Sequence, residues 1–263
     1  MPLLRVNDIE LYYECVGSGE AIFFIHPPVL PSECFRPQLE GLSARFQVVV
    51  LDIRGHGRSS SSPGQWGFKD VAEDIVKILD FLGIERAWFC GYSAGASIAF
   101  ELVLQYPDRV KGLIQIGAVP EIRRRSLRGI VRAARFAAER GGIPLIALLG
   151  AWINTKETSR FLALWRASRK SRGRDAAIFY HAYLQSSYLQ SLSAIDKPTL
   201  FVYGEKDTVF GDYKDVFLAS LSQAELAFVP NARHEIPSVQ GDALNSIIEA
   251  YIDRCGKGRG DPR

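Results

Sequence analysis

A chain of 263 residues with 47% hydrophobic content and a formal charge of +3 can bury a full core, and one domain with an insertion is the natural expectation. No apolar run reaches the roughly 20 residues of a membrane helix, and Met1-Pro2-Leu3-Leu4-Arg5 lacks a secretory signal's charged start and long apolar stretch; a cytoplasmic protein without a membrane partner is expected. Cys15, Cys34, Cys90 and Cys255 show no C-x-x-C spacing and His26, His56, His181 and His234 no H-x-x-x-H box, so reduced thiols, no metal and no cofactor are expected.

Residues 3–6 and 9–15 alternate as an antiparallel pair turning at Asn7-Asp8, a hairpin expected at the edge of a sheet. Short apolar runs of the kind buried on both faces follow at 21–25, 48–51, 87–90, 113–116, 199–203 and 224–229. Helical patterns lie between most of them. Over 70–82, Val71, Ile75, Ile78, Leu79 and Leu82 share one stripe that Gly83 closes; another helix runs after Ser93 to about Gln105, stopped by Pro107, and a last spans about Gly241 to Tyr251. The alternation predicts an α/β fold, a mostly parallel eight-stranded sheet covered by helices on both faces, with ligands at the carboxyl ends of its strands.

The alternation breaks between Pro120 and Asp196, where only helical patterns rich in Ala, Leu and Arg occur. This predicts a helical insertion, 120–196, within a core of 1–119 and 197–255, and 256–263 reads as a loose tail with no apolar anchor. Up to Ile195 the insertion carries twelve Arg and two Lys against Glu121, Glu139, Glu157 and Asp175, about +10, which leaves about −7 on the rest. A solvated basic face is the plain meaning; attraction of an anionic partner or small-molecule substrate is the sharper one. No nucleic-acid motif accompanies the charge. The aromatic residues Trp152, Phe161, Trp165, Phe179, Tyr180, Tyr183 and Tyr188 are available to line an apolar pocket, although packing accounts for most.

Within Trp88-Phe89-Cys90-Gly91-Tyr92-Ser93-Ala94-Gly95, an apolar run ends in G-x-S-x-G and continues as a helix. A serine on such a sharp strand-to-helix turn exposes its hydroxyl, and small residues two positions to either side let the backbones pass. Ser93 is the candidate nucleophile. Asp207 follows the run 199–203 and His234 the run ending at Val229, so both fall on loops after strands, in the order Ser, Asp, His. Imidazole takes the serine proton near neutrality and a carboxylate holds its tautomer, which makes His234 the base and Asp207 its orienter.

These motifs, with Asp52-Ile53-Arg54-Gly55-His56-Gly57-Arg58-Ser59 and Gly204-Glu205-Lys206-Asp207, resemble the α/β-hydrolase fold superfamily over essentially the whole chain. The resemblance implies a helical cap after strand six, where the insertion lies, and structural roles for Asp52, Arg54 and His56. Similar proteins include carboxylesterases, cofactor-free haloperoxidase-like esterases and carbon–carbon bond hydrolases. Ser93 argues against the dehalogenases and epoxide hydrolases, whose nucleophile is aspartate. Similar chains read H-G-x-x-G where this one reads His26-Pro27-Pro28-Val29-Leu30, and their second oxyanion donor falls at the position of Pro28, which has no N–H. The amide of Ala94 is one expected donor; the other is either the amide of Val29 in a reshaped loop or missing.

The expected activity is hydrolysis of a small, largely apolar carboxylic ester through an acyl-enzyme on Ser93, with His26, Pro28, Tyr92, Trp152, Trp165 and His181 as candidate substrate contacts. A carbon–carbon bond hydrolase with the same triad and a weakly or non-catalytic ligand receptor of the same fold are the alternatives. Oligomeric state is left open.

Overall fold

Residues 2–7 and 9–257 are described in a computed structural model. Their elements are β1 (Leu3–Val6), β2 (Ile9–Val16), β3 (Glu20–Ile25), α1 (Arg36–Leu42), β4 (Phe46–Leu51), α2 (Phe68–Phe81), β5 (Ala87–Tyr92), α3 (Gly95–Gln105) and β6 (Val110–Ile116). There follow α4 (Arg125–Glu139), α5 (Ile143–Asn154), α6 (Thr158–Ser168), α7 (Gly173–Gln185), β7 (Thr199–Gly204), α8 (Lys214–Ser220), β8 (Ala224–Val229), α9 (Ile236–Val239) and α10 (Gly241–Lys257). The strands form one eight-stranded sheet in the order β1-β2-β4-β3-β5-β6-β7-β8. β2 pairs antiparallel with β1 and β4, and every other pairing is parallel. The hairpin therefore edges the sheet. Asn7 takes the left-handed turn conformation, and Asp8 lies outside the described residues.

Because successive strand residues point to opposite faces, the central strands feed two cores. Phe23 and Phe89 join Val71, Ile75 and Ile78 of α2 and Ile98 of α3 on one face; Ile22, Phe24 and Trp88 join Leu39 of α1 and Ile248 and Tyr251 of α10 on the other. This double burial is why those strands read as continuous apolar runs. α2 begins two residues before the stripe suggests, because the Asp70 carboxylate accepts the Gly67 N–H at 2.7 Å. The tail expectation needs correcting in part. Gly256 and Lys257 belong to α10, which continues beyond Tyr251 because Ile252 and Cys255 still pack on the core; residues 258–263 lie outside the described residues.

Helices α4 to α7 all fall between β6 and β7, forming the cap. Buried polar contacts fasten it to the core. Asp175, wholly buried at the start of α7, accepts hydrogen bonds from Trp66 Nε1 at 2.9 Å and from the Ser61 hydroxyl, while the Arg172 N–H donates to the Gly55 carbonyl at 2.7 Å. The Asp52-to-Ser59 stretch is buried scaffolding. Asp52 accepts from the backbone and hydroxyl of Ser32 and the N–H of Arg58, Arg54 forms a two-point ion pair with Asp74, and His56 packs edge-on against Phe179 of the cap.

Replacing Asp175 by Ala strands the Trp66 N–H in a buried site, a loss of about 1–3 kcal/mol. Urea unfolding should show it as a lower midpoint, with Asp175→Asn, which retains one acceptor, losing less.

Candidate active site

Ser93 sits between the end of β5 and the start of α3 with φ +52°, a conformation an L-residue holds only when its surroundings enforce it. Its N–H donates to the Ile116 carbonyl at 2.8 Å, pinning the turn to β6. The flanking glycines are required by close approach: a Cβ on Gly91 would lie 2.5 Å from Ala96 Cα, and one on Gly95 would lie 2.3 Å from the Ile25 carbonyl oxygen.

The three residues that the sequence places on separate loops come together here. His234 Nε2 lies 2.9 Å from Ser93 Oγ, and His234 Nδ1 lies 3.0 Å from Asp207 Oδ2. Asp207 is 4% exposed, and its other oxygen accepts the N–H groups of Val209 and Phe210 at 3.1 and 3.0 Å. Burial alone would raise its carboxyl, but His234 and those two amides outweigh it and hold the group below the usual carboxylate range. An ionised Asp207 keeps the proton on Nδ1. That leaves Nε2 with its lone pair toward the Ser93 hydroxyl, an arrangement able to make Oγ nucleophilic.

Two residues that the sequence reading passed over shape the base. The Phe210 ring stacks on the His234 imidazole at 3.8 Å and 17°, so one residue both donates to Asp207 and confines His234. Gly117, directly after β6 with φ +59°, leaves room for the imidazole, since a Cβ there would sit 2.4 Å from His234 Cε1. A glycine immediately after a strand was a signal available in the sequence; nothing in the pattern around Phe210 pointed to stacking.

Ser93 and His234 open on a cavity of about 250 Å³, also lined by Pro27, Pro28, Leu30, Tyr92, Ala94, Leu127, Val131, Ile153, Asn154, Tyr180, Tyr183, Phe210 and Glu235. Among the described residues no Lys or Arg lines it. Larger clefts exist, including one of about 650 Å³ beside Arg135, Arg174 and His181, but it holds none of Ser93, Asp207 and His234, so the small cavity is the candidate site. Tyr92 and Pro28 reach its wall as expected substrate contacts. Tyr92 donates to Asn154 Oδ1 at 3.2 Å, tying the elbow to α5.

Four other expected contacts do not reach it. His26 is fully buried: Nε2 accepts the Ile53 N–H at 2.8 Å and Nδ1 donates to the Pro27 carbonyl at 2.7 Å, so it braces the loop from behind. Burial, helped by His56, pushes it down to about 3. Trp152 points outward at 74% exposure, because α5 turns its small residues inward. Trp165 stacks in parallel on Phe161 within the cap. His181 lies in the separate cleft with its Nδ1 3.0 Å from Arg135 Nη1.

Of the two expected oxyanion donors, Ala94 lines the cavity at the N-cap of α3, where helix amides lack internal partners. Val29 has φ +67° and its side chain packs in the core; it is not part of the cavity wall. Among the loop residues that are, Pro27 and Pro28 have no N–H and Leu30 has one.

Comparisons agree with this architecture. A family model described as the alpha/beta hydrolase fold matches residues 30–239. Relatives include a protein of Azorhizobium caulinodans named as a carbamate hydrolase, RutD, 27% identical with 98% of this chain and 99% of the relative covered. The mouse serine hydrolase BPHL is likewise 27% identical, over 95% and 85% of the two chains. Among solved structures, an esterase from Exiguobacterium antarcticum superposes with TM-score 0.85 at 19% identity, over 95% of this chain and 98% of that one. An enol-lactonase from Burkholderia xenovorans does so with TM-score 0.84 at 19% identity, over 96% and 100%. At such identities the structural likeness is one of fold.

The position of His26 has a consequence for acid stability. Its folded value of about 3 lies below the ordinary 6.5, so between the two the unfolded chain holds the additional proton and stability is lost as pH falls through that window. Urea midpoints measured from neutral pH downward should decline, and His26→Gln should flatten the slope by up to about 1.4 kcal/mol per pH unit.

Proposed function

The chain belongs to the α/β-hydrolase fold family and is a hydrolase, and from that premise we propose that it cleaves small, largely apolar carboxylic esters through an acyl-enzyme on Ser93. The observation that carries this reading is the Ser93–His234–Asp207 relay at the floor of a small apolar cavity. As Oγ attacks the ester carbonyl, its proton passes to His234 Nε2, and the imidazolium is held by Asp207, stacked on Phe210 and packed against the tilted ring of Tyr92. The same proton goes to the departing alkoxide as the C–O bond breaks, leaving the acyl group on Ser93. Water then enters and gives a proton to Nε2 as its oxygen bonds to the acyl carbon, and that proton passes to Ser93 Oγ as the acyl–Oγ bond breaks, which releases the acid and restores the serine. Names such as carbamate hydrolase and esterase among the relatives and neighbours fit acyl transfer to water.

The wall of the cavity favours a neutral substrate over an anionic one. Its charged side chains are Glu235 and, when protonated, His234, so the basic charge of the cap is not directed into it. A carbon–carbon bond hydrolase acting on a carboxylate-bearing substrate would need a cation in that wall. With Pro27 and Pro28 in place of donors, the Ala94 amide stands as the main stabiliser of the oxyanion, which slows turnover by roughly 10²–10³ relative to a two-donor site.

The deciding experiment is hydrolysis of p-nitrophenyl esters from acetyl to dodecanoyl by the wild type and Ser93→Ala. A short-chain optimum that disappears in the variant is the expected result; equal inactivity of both across the series would sink the proposal. Pro28→Gly returns an N–H to the loop, and kcat should rise by about tenfold or more with KM little changed. An unchanged kcat would show that this position does not face the oxyanion.

A further inference from the structure

α5 is folded with its bulky side outward. Its inward positions are Ile143, Ala147, Ala151 and Asn154, while Leu145, Leu148, Leu149, Trp152 and Ile153 are exposed at the spacing of one helical stripe. Leu145 is 58% and Trp152 74% exposed, against 0% for Ala147 and Ala151. A helix whose only partner is its own core places its large apolar residues the other way round. The stripe by itself holds five large apolar side chains, more than the scattered leucines of an ordinary exterior.

We propose that this face of the cap is a docking surface for an anionic lipid bilayer. Charge selects the occupant. Arg140 and Lys156 stand at the two ends of α5, each next to an exposed glutamate (Glu139, Glu157), α4 contributes exposed Arg125 and Arg132, and the balance over the cap up to Ile195 is about +10. A second copy seated on the same face would set that charge against itself, whereas anionic headgroups complement it while acyl chains receive the leucines and Trp152. Position argues for lipid over an acidic protein. Ile153 belongs both to the exposed stripe and to the wall of the Ser93 cavity, so a bilayer against α5 lies at the rim through which an apolar ester enters. That last link rests on the esterase reading; the docking itself does not. The lack of a helix long and apolar enough to cross a membrane among the described residues bears only on spanning and not on a helix lying in the interface.

The test is cosedimentation of the full-length chain with phosphatidylcholine vesicles, with and without phosphatidylglycerol, at low and high salt. The wild type should bind only the anionic vesicles and lose binding as salt shortens the screening length from about 10 Å to about 3 Å. A variant combining Leu145→Ser, Leu148→Ser and Leu149→Ser should bind at least about tenfold more weakly while hydrolysing a soluble ester as before. Independently of any variant, Trp152 fluorescence should be quenched by brominated lipid. Failure of the wild type to bind anionic vesicles, or equal binding by the variant, overturns the proposal. So does a wild-type dimer in light scattering that the variant abolishes, since the face would then be a self-interface. Loss of ester hydrolysis in Ser93→Ala with vesicle binding intact keeps the two readings separable.

Discussion

The left-handed backbone of Ser93 is the constraint on which the site depends. A residue held at φ +52° costs about 1–3 kcal/mol locally, and the chain sustains it by locking both ends of the turn into the sheet. The Ser93 N–H is bonded to β6, Gly91 lets Ala96 close over β5, and Gly95 lets α3 start directly above the end of β3. The result is a hydroxyl raised above the carboxyl edge of the parallel strands, with the first amides of α3 beside it. Each neighbouring strand then leads to what the hydroxyl needs: β6 is followed by the glycine that makes room for the imidazole, β7 leads to Asp207, and β8 leads to His234.

A second tier of polar contacts holds the cap over this edge. Asp175 bridges α7 to Ser61 and Trp66, and Asn154 joins α5 to Tyr92 and Ser238. Such buried groups are stabilising only when paired, so they define one position of the cap. The small cavity is a consequence, since Tyr180, Tyr183, Leu127 and Val131 are brought down onto the elbow. Arginines of the cap are left outside the cavity, where Arg174 donates to the Ser62 and Gly64 carbonyls and Arg124 to the Thr208 carbonyl.

Much of this was legible along the chain. The hydrophobic runs, the G-x-S-x-G elbow and the loop positions of Asp207 and His234 all depend on local stereochemistry and on the period of strands and helices, and they appear in the structure where the sequence places them. His26 shows the limit of that reading. Its motif position is recognisable, yet its two ring nitrogens are spent on Ile53 and Pro27, and the first of these partners lies 27 positions away in the chain. The aromatic residues of the cap show another: Tyr180 and Tyr183 line the cavity while Trp152 and Trp165 do not, though composition alone treats them alike.

The sequence by itself determined the fold class, the order of elements and the candidate nucleophile, base and acid, because periodicity, glycine stereochemistry and loop placement act over a few residues. Only the tertiary structure decided the 2.9 and 3.0 Å contacts of His234, the Phe210 stack, the absence of Val29 from the cavity wall and the outward turn of α5. Hydrophobicity specifies that a side chain gains by leaving water but not which surface receives it, and that choice is made by packing between segments far apart in the chain.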